Sequence, residues 1–372
     1  MTGSFVYDAG RTHFGKYGKA LSSVRPDDLA AHVISAIVER QPNLDAGRID
    51  DIVFGNANGA GEDNRNVGRM GALLAGFPSS VPGTTVNRLC GSGVEAVIQG
   101  SRAVEAGDAQ LVLTGGVESM SRAPWVVPKP DRAYPAGDAT MVSTTLGWRL
   151  VNPRMPEQWT IPLGQTAEIL AERFTISREE QDAFALRSHE NAARAFATGA
   201  YAAEIIEVPG VDLQRDEGIR DDTNMAALAR LKPAFVANGS VTAGNSSPLN
   251  DGASAVLIGA ENALPGVQPL ARIIGRGVAG NNPDVFGIAP VEAANRALAR
   301  AGKTWSDVDL VEPRTPESIT DQKIGARLFK ARRTHRGQLH HLERQHVRVG
   351  RIVRRIDERV LRADVDAGTE QE

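Results

Sequence analysis

Short β-prone runs alternate with marked helix starts through the first 120 residues, and that order restricts the fold to a largely parallel sheet with helices on its faces. Residues 4–9 read as the first strand. Pro26 then opens a helix, where its missing N–H is no loss, and Asp27 and Asp28 follow at the positive end of the helix dipole. Leu29, Val33, Ala36 and Ile37 share one face of that helix. Strands are predicted at residues 49–55, 84–87 and 109–114. Helices are predicted at about residues 66–75 and 91–106, the second burying Val94, Val97, Ser101 and Val104.

A weaker echo begins near residue 270. Residues 271–280 read as a strand, Pro290 opens an amphipathic helix, and residues 307–311 (DVDLV) resemble residues 50–54 (DDIVF). Internal duplication is the reading of this repeated order, with chance recurrence as its alternative. Between the two halves, residues 123–242 form a long insertion whose Pro- and Trp-rich start suits an ordered cover over a site. Inside it, Ser177 and Glu180 make a capping box ahead of a helix running to about residue 197.

Composition narrows the function. A chain of 372 residues with 41% apolar content can build one large or several ordinary cores, and a net charge of -3 gives no pull towards nucleic acid or an anionic membrane. No apolar run approaches the roughly 18 residues of a membrane span, and the N-terminus lacks a basic start followed by an apolar stretch. One cysteine excludes an internal disulfide framework and a cysteine-rich metal site, and the expected setting is a reducing cytoplasm.

That cysteine lies in Asn87-Arg88-Leu89-Cys90-Gly91-Ser92-Gly93, which ends a strand, turns and begins a helix. Backbone N–H groups and the helix dipole favour an anion there, and the thiolate is the nucleophilic form of cysteine. Gly91 and Gly93 keep side chains away from an approaching carbonyl. The residues alone leave two readings open, a nucleophile or a buried filler in a tight turn.

These residues, followed by GGVESMSRAPW at 115–125, ISREEQDAFALRSH at 176–189 and TAGNSSPLNDGASA at 242–255, resemble the thiolases through about residue 312. The resemblance implies a duplicated five-layer α/β/α/β/α fold with an inserted loop domain. Residues 1–122 with about 247–268 would form the N-terminal half, 123–246 the inserted coenzyme A-binding domain, and 269–312 the start of an incomplete second half. It further implies acyl transfer between a 3-oxoacyl-CoA and coenzyme A through a thioester on Cys90, with Ser247 near the pantetheine. Coenzyme A is then a substrate, no cofactor stays bound, and relatives are dimers or tetramers. Residues 20–30, 60–66 and 144–155 are similar to thiolases that act on 3-oxoadipyl-CoA. Such a substrate ends in a carboxylate that Arg65, Arg69 or Arg149 could pair. Glu118 and Ser119 are expected to shape the turn after their strand, His13 to be structural, and His32 and His189 to lie at the surface.

The resemblance stops at residue 312. Thiolases use a Gly-His-Pro histidine, a second cysteine in Cys-x-Gly-x-Gly and an Asn-Glu-Ala-Phe segment, whereas Pro313-Arg314-Thr315-Pro316 stands where the last is expected and the other two do not follow. Residues 313–372 are rich in arginine and hold four of the seven histidines, His335, His340, His341 and His346, to which no role transfers. A shifted reading frame or a fused segment explains this divergent basic tail, and its rival is a selected tail that binds nucleic acid or a partner. On this reading, the activity of the polypeptide is in doubt.

Overall fold

The computed structural model describes residues 3–311 apart from Pro42. Its centre is a seven-stranded mixed sheet. The strands are β1 (Ser4–Arg11), β2 (Gly15–Lys16), β3 (Asp51–Gly55), β4 (Gly83–Val86), β5 (Leu111–Ser119), β8 (Asn250–Gly259) and β9 (Ala271–Ile273). They run in the order β4-β3-β5-β8-β1-β9, with β2 on β8. β3 pairs parallel with β4 and β5, and β8 runs antiparallel between β5 and β1. A separate two-stranded ribbon joins β6 (Trp125–Val126) to β7 (Val142–Ser143).

Helix α1 (Pro26–Glu39) starts at Pro26 with Asp27 and Asp28 in its first turn. Its Leu29, Val33, Ile34 and Ile37 are fully enclosed, and they form the core with Leu111, Leu113, Leu257 and Ile258 of the central strands. Removing one such leucine side chain costs about 2–5 kcal/mol. Helix α2 (Val67–Leu74) begins at Asn66, whose side chain accepts from the Arg69 N–H. It packs on α1 at Gly71, where a β-carbon would meet Ala30 and Ile34.

Helix α3 (Ser92–Ala106) crosses the strands at Gly100, above Val112 and Thr114. Its Ser101 hydroxyl hydrogen-bonds that of Ser4 at 2.7 Å. Ser101 and Val104 are buried as predicted and Val97 is half-buried, but Val94 is 55% exposed. Val94 lies two residues past the helix start, on the face turned away from the sheet.

Between β5 and β8 the chain forms α4 (Leu163–Arg173), α5 (Arg178–Ala197) and α6 (Met225–Ala229). The Ser177–Glu180 capping box opens α5, which ends at Ala197 as the sequence predicts. Beyond β9 the fold departs from the sequence reading in two places. The predicted strand over residues 271–280 shortens to Ala271–Ile273, because the glycines after it approach helix α7 (Ala289–Arg300) instead of joining a ladder. A β-carbon on Gly277 would lie 1.8 Å from the Ala293 carbonyl oxygen. Residues 307–311 are not a strand either. A 3-10 turn at Trp305–Asp307 leads into irregular chain, with no partner strand beside it among the described residues. The echo survives as an order of elements: strand, Pro-started helix and 3-10 turn recur as β9, α7 and Trp305–Asp307 after β1, α1 and Ala46–Arg48.

A tight backbone approach in the molecule's centre involves Gly55, where a β-carbon would sit 2.3 Å from the Ser92 carbonyl carbon. Gly55→Ala is expected to lower stability by about 1–3 kcal/mol. Gly280→Ala, with nothing within 4 Å, should stay within about 0.5 kcal/mol of the parent. Urea denaturation of both variants checks the contrast.

Candidate active site

Parallel pairing puts the ends of β3, β4 and β5 at one edge of the sheet, and the start of antiparallel β8 joins them there, since Asp251 faces Ser119. Ligands of open α/β sheets bind outside these carboxyl ends. The loop after β3, the Cys90 turn after β4, the end of β5 and the Ser247 segment before β8 all lie at this edge.

The Cys90 turn is held from within. Asn87 Oδ1 accepts the Leu89 N–H at 2.9 Å, and Leu89 takes a left-handed φ of 49°. A residue other than glycine is strained in that region and needs such support. Ser92 Oγ accepts the Arg88 N–H at 2.8 Å and donates to the Leu89 carbonyl. Arg88 Nε donates to the buried Glu95 at 2.9 Å; burial raises that carboxyl, but the bonds from Arg88 and Gln99 and the charges of Arg88 and Arg102 together hold it below the ordinary range. Cys90 emerges exposed, next to Gly91, the N-cap of α3. Of the two readings the sequence left open, a buried filler is excluded. Gly55 and Gly116 let the first turn of α3 rest on the sheet, a β-carbon on Gly116 lying 3.5 Å from Gly93 Cα.

Beside the turn sit two carboxyls whose role the sequence does not reveal, buried Asp63 and half-buried Glu118. Glu118 and Ser119 are strand residues of β5 and not part of a following turn. Glu118 Oε2 accepts the Ala57 N–H at 2.8 Å. Burial pushes its carboxyl up to about 7, with the nearby Asp63 adding to the rise and Arg149 opposing it. Burial likewise pushes Asp63 up to about 6. Asn56 donates to Asp63 at 3.0 Å and to the Val117 carbonyl at 2.9 Å, while its own buried Oδ1 has no hydrogen-bond partner among the described residues. The signal in the sequence was the run Gly55-Asn56-Ala57-Asn58-Gly59, a polar loop directly after an apolar strand. Ser119 and Ser121 both donate to the fully buried Asp251.

Arg149 Nη2 donates to Asn58 Oδ1 at 3.1 Å, so it stands at the same edge. Arg69 is committed elsewhere, donating to the carbonyls of Val81 and Ser79, and Arg65 is exposed. Ser247 is exposed on a loop whose neighbours Gly244, Ser246 and Pro248 line a cleft of about 140 Å³ with Lys16, His189, Arg220 and Leu231. The loop is anchored behind by Asn245, which donates to Asp182 at 3.0 Å and accepts from the Thr242 N–H. His189 is therefore a half-buried cleft residue, and burial pushes its imidazole down. His13 is buried against Phe196 with the same downward effect of burial, and His32 bonds the Glu207 carbonyl. A larger hollow of about 780 Å³ beside α4 and α5 has no lining residue from the Cys90 turn. Among the described residues no cluster suits a metal ion, and no helix is long and apolar enough to cross a membrane. His335, His340, His341 and His346 lie outside the described residues.

The Glu118 carboxyl has a consequence for stability. Its native pKa is raised from 4.5, so the native state holds the proton more tightly than the unfolded chain. The resulting stabilisation is full below about pH 4.5 and is lost as pH rises through about 7. Glu118→Gln removes this loss. The urea midpoint of the parent should fall relative to that of Glu118→Gln between these pH values, and parallel profiles would contradict the assignment.

Comparison with known proteins agrees with this geometry. A family model described as the N-terminal domain of thiolase matches residues 4–262. The chain is 50% identical over 335 residues to the 3-oxoadipyl-CoA/3-oxo-5,6-dehydrosuberyl-CoA thiolase of Escherichia coli, covering 87% of this chain and 83% of that protein. It is 47% identical over 317 residues to the beta-ketoadipyl-CoA thiolase of Pseudomonas aeruginosa, covering 83% and 79%. The crystal structure of human mitochondrial 3-ketoacyl-CoA thiolase in complex with CoA superposes with a TM-score of 0.81 at 34% identity, covering 88% of this chain and 83% of that one. The chain has the thiolase fold and belongs to the thiolase family of acyltransferases.

Proposed function

We propose that Cys90 is the acyl-accepting nucleophile of a thiolase whose substrate is 3-oxoadipyl-CoA. The observation that carries this reading is the exposed thiol held at the start of α3, at the sheet edge where the ends of β3, β4 and β5 meet. The thiolate adds to the C3 carbonyl of the substrate, and the C2–C3 bond then breaks. The electron pair leaves with acetyl-CoA, whose C2 takes up a proton, and a succinyl thioester remains on Cys90. Free coenzyme A attacks that thioester, yields succinyl-CoA and restores the thiol. Splitting carbon–carbon cleavage in this way replaces one hard step by two easier ones.

The inserted residues 123–246 supply the coenzyme A side of the site in this reading, with Ser247 beside the pantetheine. Lys16 and Arg220 at the neighbouring cleft offer positive charge to the coenzyme's phosphates. For the distal carboxylate, the geometry favours Arg149, because Arg69 is occupied by backbone carbonyls. The two relatives described above carry names for this substrate class.

Proton handling is the weak point. The 372 residues hold one cysteine and no Gly-His-Pro or Asn-Glu-Ala-Phe segment. In this reading the helix start favours the Cys90 thiolate, and the histidine and second cysteine of those segments take no part in moving the protons. Loss of such general acid–base partners slows catalysis by about 10²–10⁴-fold. Cys90 is therefore expected to acylate while turnover stays low. A scaffold without catalysis is the second reading, favoured by the same missing segments.

Intact-mass analysis after incubation with 3-oxoadipyl-CoA or acetoacetyl-CoA separates these readings. A succinyl or acetyl adduct, respectively, is expected on the parent and absent from Cys90→Ser, and a folded parent without adduct would leave only the scaffold. Arg149→Ala should reduce acylation by 3-oxoadipyl-CoA relative to acetoacetyl-CoA by about tenfold or more, the worth of one charged hydrogen bond. An unchanged ratio would remove Arg149 from the acyl pocket.

A further inference from the structure

We propose that Glu118 is a positioning residue that sets the Cys90 turn through a relay of hydrogen bonds across the ends of three strands. The relay starts at Glu118 Oε2 on β5, which accepts the Ala57 N–H in the loop after β3 at 2.8 Å. The Ala57 carbonyl accepts from Asn87 Nδ2 at the end of β4 at 2.9 Å. The Oδ1 of the same Asn87 accepts the Leu89 N–H at 2.9 Å, and Cys90 is the next residue. Both backbone polar groups of Ala57 are used in this way, one towards Glu118 and one towards Asn87. The relay ends on Leu89, whose φ of 49° is the strained point of the turn. Without Asn87 held from below, its side-chain amide is free to turn and Leu89 loses the bond that keeps it left-handed.

A carboxyl is a costly choice for this half-buried place, since burial and the nearby Asp63 carboxyl both push Glu118 up. What the carboxyl supplies is a strong acceptor for the N–H of Ala57, a half-buried residue of the loop. The neighbouring bonds fix the same loop from other sides: the Asn56 N–H reaches the Val86 carbonyl at 3.1 Å, and Asn58 Nδ2 reaches Thr144. Glu118 therefore acts on Cys90 through the loop and the turn.

The inference rests on Cys90 being the reacting thiol, and its test does not need turnover. The second-order rate of Cys90 alkylation by iodoacetamide is measured across pH in the full chain, with urea denaturation as the control for folding. Glu118→Ala is expected to lower the rate by roughly tenfold or more, as small misplacements of a reacting group do, and to change the pH profile of labelling. Glu118→Gln keeps an acceptor for Ala57 and should restore the rate and profile to near those of the parent. Asn87→Ala cuts the relay at its other end, at an exposed side chain, and should slow labelling as Glu118→Ala does. The double variant should be no slower than either single one, because both remove the same relay. Labelling at the parent's rate and profile in either alanine variant overturns the proposal, as does a glutamine variant as slow as Glu118→Ala. If Glu118→Ala fails to fold, the Asn87→Ala rate decides alone. Failure of the acylation experiment with normal labelling results would refute the acyl-transfer reading and leave the relay standing.

Discussion

Ser92 and Gly93 press on Gly55 so closely that any side chain there would collide with the backbone of the first turn of α3. The rest of the site depends on this contact. It brings the positive end of a fifteen-residue helix down onto the carboxyl edge of the sheet, and the five residues before that helix must turn sharply to reach it from β4. Leu89 bears the strain of the turn, and Cys90 is carried outward as a result. The exposed position of Cys90 is thus a product of backbone packing between a helix and a glycine-lined sheet.

The same edge concentrates charge at some cost to stability. Asp63 and Glu118 are both pushed up by burial, and Arg149 offsets only part of this at Glu118. Asp251 is fully enclosed, but its oxygens accept from Ser119 and Ser121, so its burial is compensated by hydrogen bonds. Glu118 is the more revealing residue, because its bond to Ala57 runs towards the loop beside the Cys90 turn. Strain and unfavourable burial cluster where the sheet ends, which is where function is expected to override local stability.

Much of this was legible in the sequence. The start of α1 at Pro26, the capping box of α5 and the strand-turn-helix around Cys90 are local signals that depend on neighbours in the chain, and the structure places all three as read. Features set by distant partners were not legible. Val94 follows the apolar pattern of α3, yet its exposure depends on which face the sheet covers. Residues 274–280 have the look of a strand, but Gly275 and Gly277 serve close contact with α7. Glu118 reads as a turn residue because nothing near it in sequence reveals that its partner is Ala57, 61 residues away. That the residue order holds one cysteine and neither Gly-His-Pro nor Asn-Glu-Ala-Phe, in contrast, is read directly from the sequence.

The central claim is that this fold makes Cys90 a better nucleophile than an ordinary cysteine. Comparing its carboxymethylation rate by iodoacetate at neutral pH in the folded protein and in urea tests that claim directly. The account predicts faster reaction in the folded state, since the helix start favours the thiolate and the side chain is open to solvent. Equal or slower reaction in the folded state would contradict it.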